Sequence, residues 1–218
     1  VITLMNVLVV LTSLIAVIFS SMYYYNSREF IELLLGQPVK RTSVFLGQYL
    51  GVSLSLSLSL LLGLLVPFVF YGSLDGVIVK QVAVLLASGV FQNFIFSAIA
   101  YNLAVANENR IKGFGYAIFV WLFLAVLYDG TFLMLLMSYN EYPLEKFSLV
   151  ATLLNPVDLS RILILLQLDI SALMGYTGAV FKQFFGTGLG VLCAVSMLVL
   201  WVLLPVWRLK RLAVKKDF

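Results

Sequence analysis

The stretch VFLGQYLGVSLSLSLSLLLGLLVPFVFYG, residues 44–72, has 29 residues and no charged side chain. Within it, Ser and Leu alternate from Ser53 to Leu60 with the period of two that is typical of a β-strand. A lone strand would leave its backbone N–H and C=O groups unpaired in lipid, whereas a helix pairs them internally. We therefore predict a helix, which at 1.5 Å per residue is about 43 Å long and crosses a bilayer with some tilt. Its serine hydroxyls are expected to bond to carbonyls four residues earlier, or to let a neighbouring helix approach closely.

The composition of the whole chain agrees with this prediction. Of its 218 residues, 62% are hydrophobic and only 11% are charged, and the mean hydropathy is +1.07. A soluble domain carries about 25% charged residues, so this chain cannot cover a soluble surface. The one cysteine, Cys193, excludes a disulfide-rich scaffold. We predict an all-α integral membrane protein, a polytopic helical bundle that forms a single transmembrane permease domain over residues 1–218.

Five apolar stretches are long enough to cross a bilayer, which needs about 20 residues. The predicted spans cover residues 1–24, 44–72, 77–105, 114–137 and 188–207, approximately. A shorter stretch, Leu149–Leu168, contains Asn155, Pro156, Asp158 and Arg161. Two charges in the middle of a membrane helix cost several kcal/mol. We therefore predict a re-entrant or interfacial helix there, within an extracytoplasmic segment of residues 138–187.

The basic residues fix the expected orientation. Ten of the fourteen fall on one side of the five spans, and the positive-inside rule makes that side cytoplasmic. The C-terminus is then cytoplasmic and residue 1 lies outside, so we expect one more span before Val1 in the full protein, six in all. The ten are Arg28, Lys40, Arg41, Arg110, Lys112, Arg208, Lys210, Arg211, Lys215 and Lys216.

The first cytoplasmic loop predicts a short helix over residues 27–36. Ser27 or Asn26 can cap it, Glu29 suits its first turn, and Gly36 followed by Pro38 ends it. Its apolar residues cover a broad face. The helix could lie on lipid, or it could dock a soluble subunit; the pattern leaves both open.

Several motifs resemble those of type-two ABC exporter permeases. The residues ELLL (32–35), QPV (37–39), Arg41, Gly47 and YLG (49–51) resemble the family stretch ELLL-x-QPV-x-R…LG-x-YLG, which contains the coupling helix of that family. The residues LNPVDLSR (154–161), LD (168–169), MGYTGAVF (174–181) and the basic C-terminal end resemble the NosY-type subgroup of this family. The resemblance covers residues 25–218.

This resemblance implies a homodimer in the bacterial inner membrane. It implies two NosF-like ABC ATPase subunits, which bind ATP and Mg, and a NosD-like periplasmic β-helical protein. The implied role is copper-site maturation of nitrous-oxide reductase. The implied ATPase-coupling residues are Arg28, Glu29, Phe30, Glu32 and Arg41. The implied extracytoplasmic partner or gate residues are Asn155, Asp158, Arg161, Asp169 and Tyr176.

The sequence offers little chemistry of its own. It has no histidine, and the Gly113-Phe114-Gly115 segment lacks the Lys and Ser/Thr of a phosphate-binding loop. We expect a non-catalytic subunit with no metal site, cofactor or nucleic-acid partner, in which Cys193 and the six methionines serve mainly in packing. Asp129 is either a functional intramembrane carboxylate or part of an aqueous vestibule.

Other functions stay open at this point. Within transport, the alternatives are an exporter of lipid, glycan or drug and a gliding-motility-type permease. A receptor or assembly scaffold without energy coupling, and an intramembrane enzyme, belong to other classes.

Overall fold

The computed structural model describes residues 2–71, 76–138, 145–167 and 183–215. These ranges are helical and contain no strand, and the Ser-Leu alternation lies in a helix as predicted. The elements are α1 (Ile2–Asn26), α2 (Arg28–Leu35), α3 (Arg41–Tyr71), α4 (Gly76–Ala106), α5 (Arg110–Leu122), a π-helical turn (Phe123–Leu127), α6 (Tyr128–Ser138), α7 (Glu145–Leu154), α8 (Pro156–Gln167) and α9 (Gly188–Lys215).

Five helical segments of the described chain are long and apolar enough to cross a membrane. They are formed by α1, α3, α4, the continuous α5–π turn–α6 unit, and α9. They indicate a multi-pass membrane protein. The last helix continues past its apolar part, through Arg208, Lys210 and Arg211, and ends at Lys215 instead of near residue 207.

Small residues bring α1 and α4 together. Ala16 and Ser20 of α1, and Ala100 and Ala104 of α4, are all fully buried. Small side chains allow membrane helices to approach closely, which is where their packing energy comes from. In α3 the Ser53 hydroxyl donates to the Tyr49 carbonyl, 2.6 Å away, as expected for a serine in a membrane helix.

Three contacts gather the basic residues at one end of the bundle. The Tyr25 hydroxyl donates to the Asn107 carbonyl (3.0 Å), Arg28 Nη1 donates to the Glu108 carbonyl (3.3 Å), and Asn102 Nδ2 donates to the Pro205 carbonyl (2.7 Å). The ends of α1 and α4, the start of α5 and the last part of α9 therefore lie together. The Tyr101 hydroxyl of α4 donates to Gln48 Oε1, which brings the first turns of α3 to the same end. We call this the basic end, and the other the opposite end.

A helical hairpin enters the bundle from the opposite end. The axes of α7 and α8 are bent by 112° at Asn155, and this tip lies beside Gln92 and Leu124, near the middles of their helices. α8 then returns, so that Ile162 lines a cavity together with Met5 at the start of α1. The single helix expected over Leu149–Leu168 is therefore two helices. The reason is local, since a residue before proline is disfavoured in the helical conformation.

Candidate functional site

The hairpin tip is held by two buried amide side chains. Asn155 Nδ2 donates to the Leu124 carbonyl (2.9 Å) and to Asp158 Oδ2 (3.0 Å), while its Oδ1 accepts from the Val157 N–H (3.0 Å). Gln92 Nε2 donates to the Pro156 carbonyl and to Ser160 Oγ, both at 2.8 Å. Both amides are fully buried. Within a membrane, a broken helix is tolerated only where other protein groups form hydrogen bonds with its unpaired backbone N–H and C=O groups. The side chains of Asn155 and Gln92 form such bonds here.

The carbonyl that receives Asn155 belongs to the π-helical turn. Leu124 lies in this turn, Phe123–Leu127, which interrupts the helix between α5 and α6. π-helical turns change the hydrogen-bond register of a helix and occur often at functional sites. The sequence analysis missed this feature, because the residues FLAVL carry no signal that distinguishes a π turn from an ordinary helical turn.

Three charged side chains meet beside the hairpin. Arg161 Nη1 contacts Asp129 Oδ2 from α6, and it lies 3.3 Å from Asp158 Oδ1 on its own helix. The side chains of Arg161, Asp158 and Asp129 are 18%, 14% and 32% exposed. The structure thus pairs Arg161 with Asp158, one helical turn away on α8, and also with Asp129 of α6.

This charge cluster borders a cavity of about 260 Å³. Apart from the cluster, its wall is mostly apolar and includes Met5, Phe132, Leu133, Ile162 and Leu165. Asp129 is therefore an ion-paired carboxylate at a cavity wall between helices. Its pairing with Arg161 lowers the cost of holding these charges within the bundle.

At the basic end, α2 has one anchored side and one exposed side. Ile31 is fully buried, while Phe30 is 58% and Leu33 is 72% exposed. Arg28 Nε lies 3.1 Å from Glu32 Oε1, one helical turn away. Glu29 is also exposed.

The expected cap of α2 takes a different form. Ser27 occupies the N-cap position, but its hydroxyl makes no capping bond and donates instead to the Tyr23 carbonyl of α1, 2.6 Å away. Backbone bonds from the Ser27 N–H to the Tyr23 carbonyl (3.0 Å) and from the Ile31 N–H to the Ser27 carbonyl (2.9 Å) continue α1 directly into α2. Arg41 is exposed and begins α3, so it lies after the loop that follows α2.

The predicted residues thus form two groups at different levels of the bundle. Arg28, Glu29, Phe30 and Glu32 share α2, with Arg41 nearby in the chain. Asn155, Asp158 and Arg161 share the hairpin. Asp169 and Tyr176 lie outside the described residues. No family model and no curated protein matches this chain.

Proposed function

We propose that the chain is the membrane subunit of an ABC transporter, in which α2 docks a partner ATPase. One observation carries the proposal: a short helix between two span-length helices is anchored by Ile31 and presents Phe30 and Leu33 outward. Such a helix fits the groove of a soluble protein through its apolar residues. This chain would act as a homodimer with two NosF-like subunits that bind ATP and Mg, and it would not catalyse a reaction itself.

The charge of α2 favours protein docking over a position on lipid. A helix that lies on a membrane surface usually carries Lys and Arg on its polar face. The polar residues of α2 are Arg28, Glu29 and Glu32, and the one cation is already paired with Glu32. The helix therefore has net charge −1 and gains nothing from anionic headgroups. A partner groove with basic residues would complement it.

A continuous set of contacts links α2 to the hairpin. Arg28 bonds to the Glu108 carbonyl in the loop after α4, and Tyr25 bonds to the Asn107 carbonyl beside it. α1 and α4 pack through small residues, so we expect them to move as one body. Gln92 of α4 in turn holds the hairpin tip. In the proposed mechanism, movement of the ATPases displaces α2, and α1 and α4 carry the displacement to the hairpin.

The proposed orientation places the basic end in the cytoplasm of a bacterial inner membrane. The hairpin is then re-entrant from the periplasmic side, where a NosD-like protein would respond to its movement. The resemblance to NosY-type permeases leads us to propose copper-site maturation of nitrous-oxide reductase as the purpose of the cycle. The residues that argue for this finer role are those of the LNPVDLSR motif, which contribute Asn155, Asp158 and Arg161 to the hairpin.

Purification from the native host, with masses of the co-purifying proteins, tests the proposal. We expect an ABC ATPase to co-purify with the wild-type chain. The double variant Glu29→Lys, Glu32→Lys should retain about a tenth of the ATPase or less, because like charges across an interface cost several kcal/mol. Loss of the exposed Arg28–Glu32 pair itself costs only about 0.5 kcal/mol, so the helix should remain folded.

The control is Lys210→Glu, a charge reversal of an exposed residue at the same end, which should keep its ATPase. An ATPase that co-purifies equally with the double variant would contradict the docking role of α2. A periplasmic β-helical protein in the purified complex would support the NosY-type role, and an ATPase without it would limit the proposal to an ABC permease.

A further inference from the structure

A second cavity lies nearer the basic end, and its wall includes Leu124, whose carbonyl receives Asn155 of the hairpin tip. It has a volume of about 400 Å³ and lies between α4, the α5–π turn segment and α9. Its wall is mostly apolar, with Ile99, Leu103, Val120, Phe123, Trp201 and Leu204. Phe123 is 44% and Leu204 is 60% exposed, so the cavity opens on the outer face of the bundle. On a membrane protein that face meets lipid chains.

A cation stands at the mouth of this cavity. Arg208 lines it, and Arg208 makes no hydrogen bond or ion pair with any residue of the described chain. Arg208 is the first charged residue of α9 on the way out of its apolar part, so its side chain lies at the expected level of lipid phosphates. The neighbouring cation Arg211 is instead engaged over the Trp207 ring, 3.6 Å from its centroid.

An unsatisfied acceptor lies one turn deeper in the same wall. Asn102 is only 4% exposed, and its Nδ2 donates to the Ala98 and Pro205 carbonyls, each 2.7 Å away. Its Oδ1 has no partner within the part of the chain that the structure describes. Pro205 also has no N–H, so the carbonyl four residues before it, on Trp201, lacks its usual helical donor. Water molecules that accompany a polar part of a bound ligand could donate hydrogen bonds to the Asn102 and Trp201 oxygens.

We propose that this cavity binds an anionic phospholipid, with one acyl chain against the apolar wall and the phosphate on Arg208. The hydrated glycerol region of the lipid would then lie at the level of Asn102. Basic pockets between membrane helices are known to favour anionic headgroups. A second copy of this chain is a poorer occupant, because its own basic end would bring further cations to Arg208. This site is independent of the proposed ATPase partner.

Native mass spectrometry of the detergent-purified chain tests the site. Phosphatidylglycerol is compared with phosphatidylcholine of the same acyl chains. We expect wild type to bind phosphatidylglycerol in preference, and Arg208→Gln to bind it about fivefold more weakly, the usual effect of one basic residue near anionic lipid. Lys210→Gln, which removes a neighbouring cation that does not line the cavity, should bind like wild type.

A second measurement locates the acyl chain. Phosphatidylglycerol with brominated chains should quench the tryptophan fluorescence, and Trp201→Phe should remove most of this quenching because Trp201 lines the cavity. Val120→Phe, which fills the cavity, should weaken binding of the lipid without changing the charge.

Three results would overturn the proposal. Equal weakening by Arg208→Gln and Lys210→Gln would indicate unspecific attraction to a basic surface. Competition by glycerol 3-phosphate as strong as that by the lipid would indicate a soluble phosphate site. Binding that disappears when two copies associate would assign the cavity to the dimer interface.

Discussion

Replacement of Arg161, the cation that both carboxyl groups of the charge cluster contact, should change the stability of the protein strongly. In Arg161→Met, the carboxylates of Asp129 and Asp158 lose their only cationic contact in the described structure. Removing one partner of a fully buried ion pair costs about 3–5 kcal/mol. These side chains are 14–32% exposed, and water therefore screens part of the repulsion. We expect a loss of about 2–3 kcal/mol in the free energy of unfolding.

The reasoning also predicts a rescue. Arg161→Met combined with Asp129→Asn and Asp158→Asn removes all three charges while keeping side chains of similar size. A neutral replacement of a buried ion cluster is often as stable as the original, so the triple variant should lie within about 1 kcal/mol of wild type. The amide oxygen that Asp158→Asn introduces can still accept the bond that Asn155 now donates to the carboxylate.

Unfolding by SDS in mixed micelles, followed by tryptophan fluorescence, measures these free energies. The control is Arg110→Met, which removes an exposed cation at the basic end and should change the free energy of unfolding by about 0.5 kcal/mol or less. If Arg161→Met were as stable as the control, or if the triple variant were as unstable as the single one, the electrostatic account of the cluster would be wrong.

Two further predictions use neighbouring pairs of residues. Gln92→Met removes both hydrogen bonds to the hairpin tip and should lower the free energy of unfolding by about 1–2 kcal/mol in the same assay. Asn93→Leu removes a buried amide whose Nδ2 has no partner among the described residues, so this variant should be as stable as wild type or more stable. A larger loss in Asn93→Leu than in Gln92→Met would contradict the hydrogen-bond assignment. Gly190→Ala should cost about 3 kcal/mol, because its Cβ would collide with the backbone of the preceding turn, whereas Gly188→Ala has open space and should unfold like wild type. Equal stability of the two alanine variants, by the same measurement, would refute that close approach.

The sequence predicted those features that depend on local composition. Runs of apolar residues located the five span-length helices, and the unpaired backbone of a lone strand in lipid decided helix over strand for Ser53–Leu60. The residues that begin and end α2 predicted this short helix, although the Ser27 hydroxyl donates to a carbonyl of α1 instead of capping α2.

Features that depend on how helices face each other were harder to predict. Asp129 and Arg161 are 32 residues apart, and their contact depends on which side of α6 faces the hairpin. α6 is apolar all round apart from a few residues, so no amphipathic stripe indicates that side. The break at Asn155 could have been predicted from the sequence, since Pro156 follows it, but a single helix was predicted over Leu149–Leu168.

Cysteine cross-linking at α2 in native membranes tests the central claim most directly. In a Cys193→Ser background, a cysteine is placed at Leu33, which is 72% exposed on α2, or at Met134, which is equally exposed toward the opposite end of the bundle. Cross-linked products are identified by mass spectrometry. The account predicts an ABC ATPase joined to Leu33→Cys and absent from Met134→Cys. If Leu33→Cys yields no ATPase, or if both positions yield it alike, then α2 is not the coupling helix of an ABC transporter.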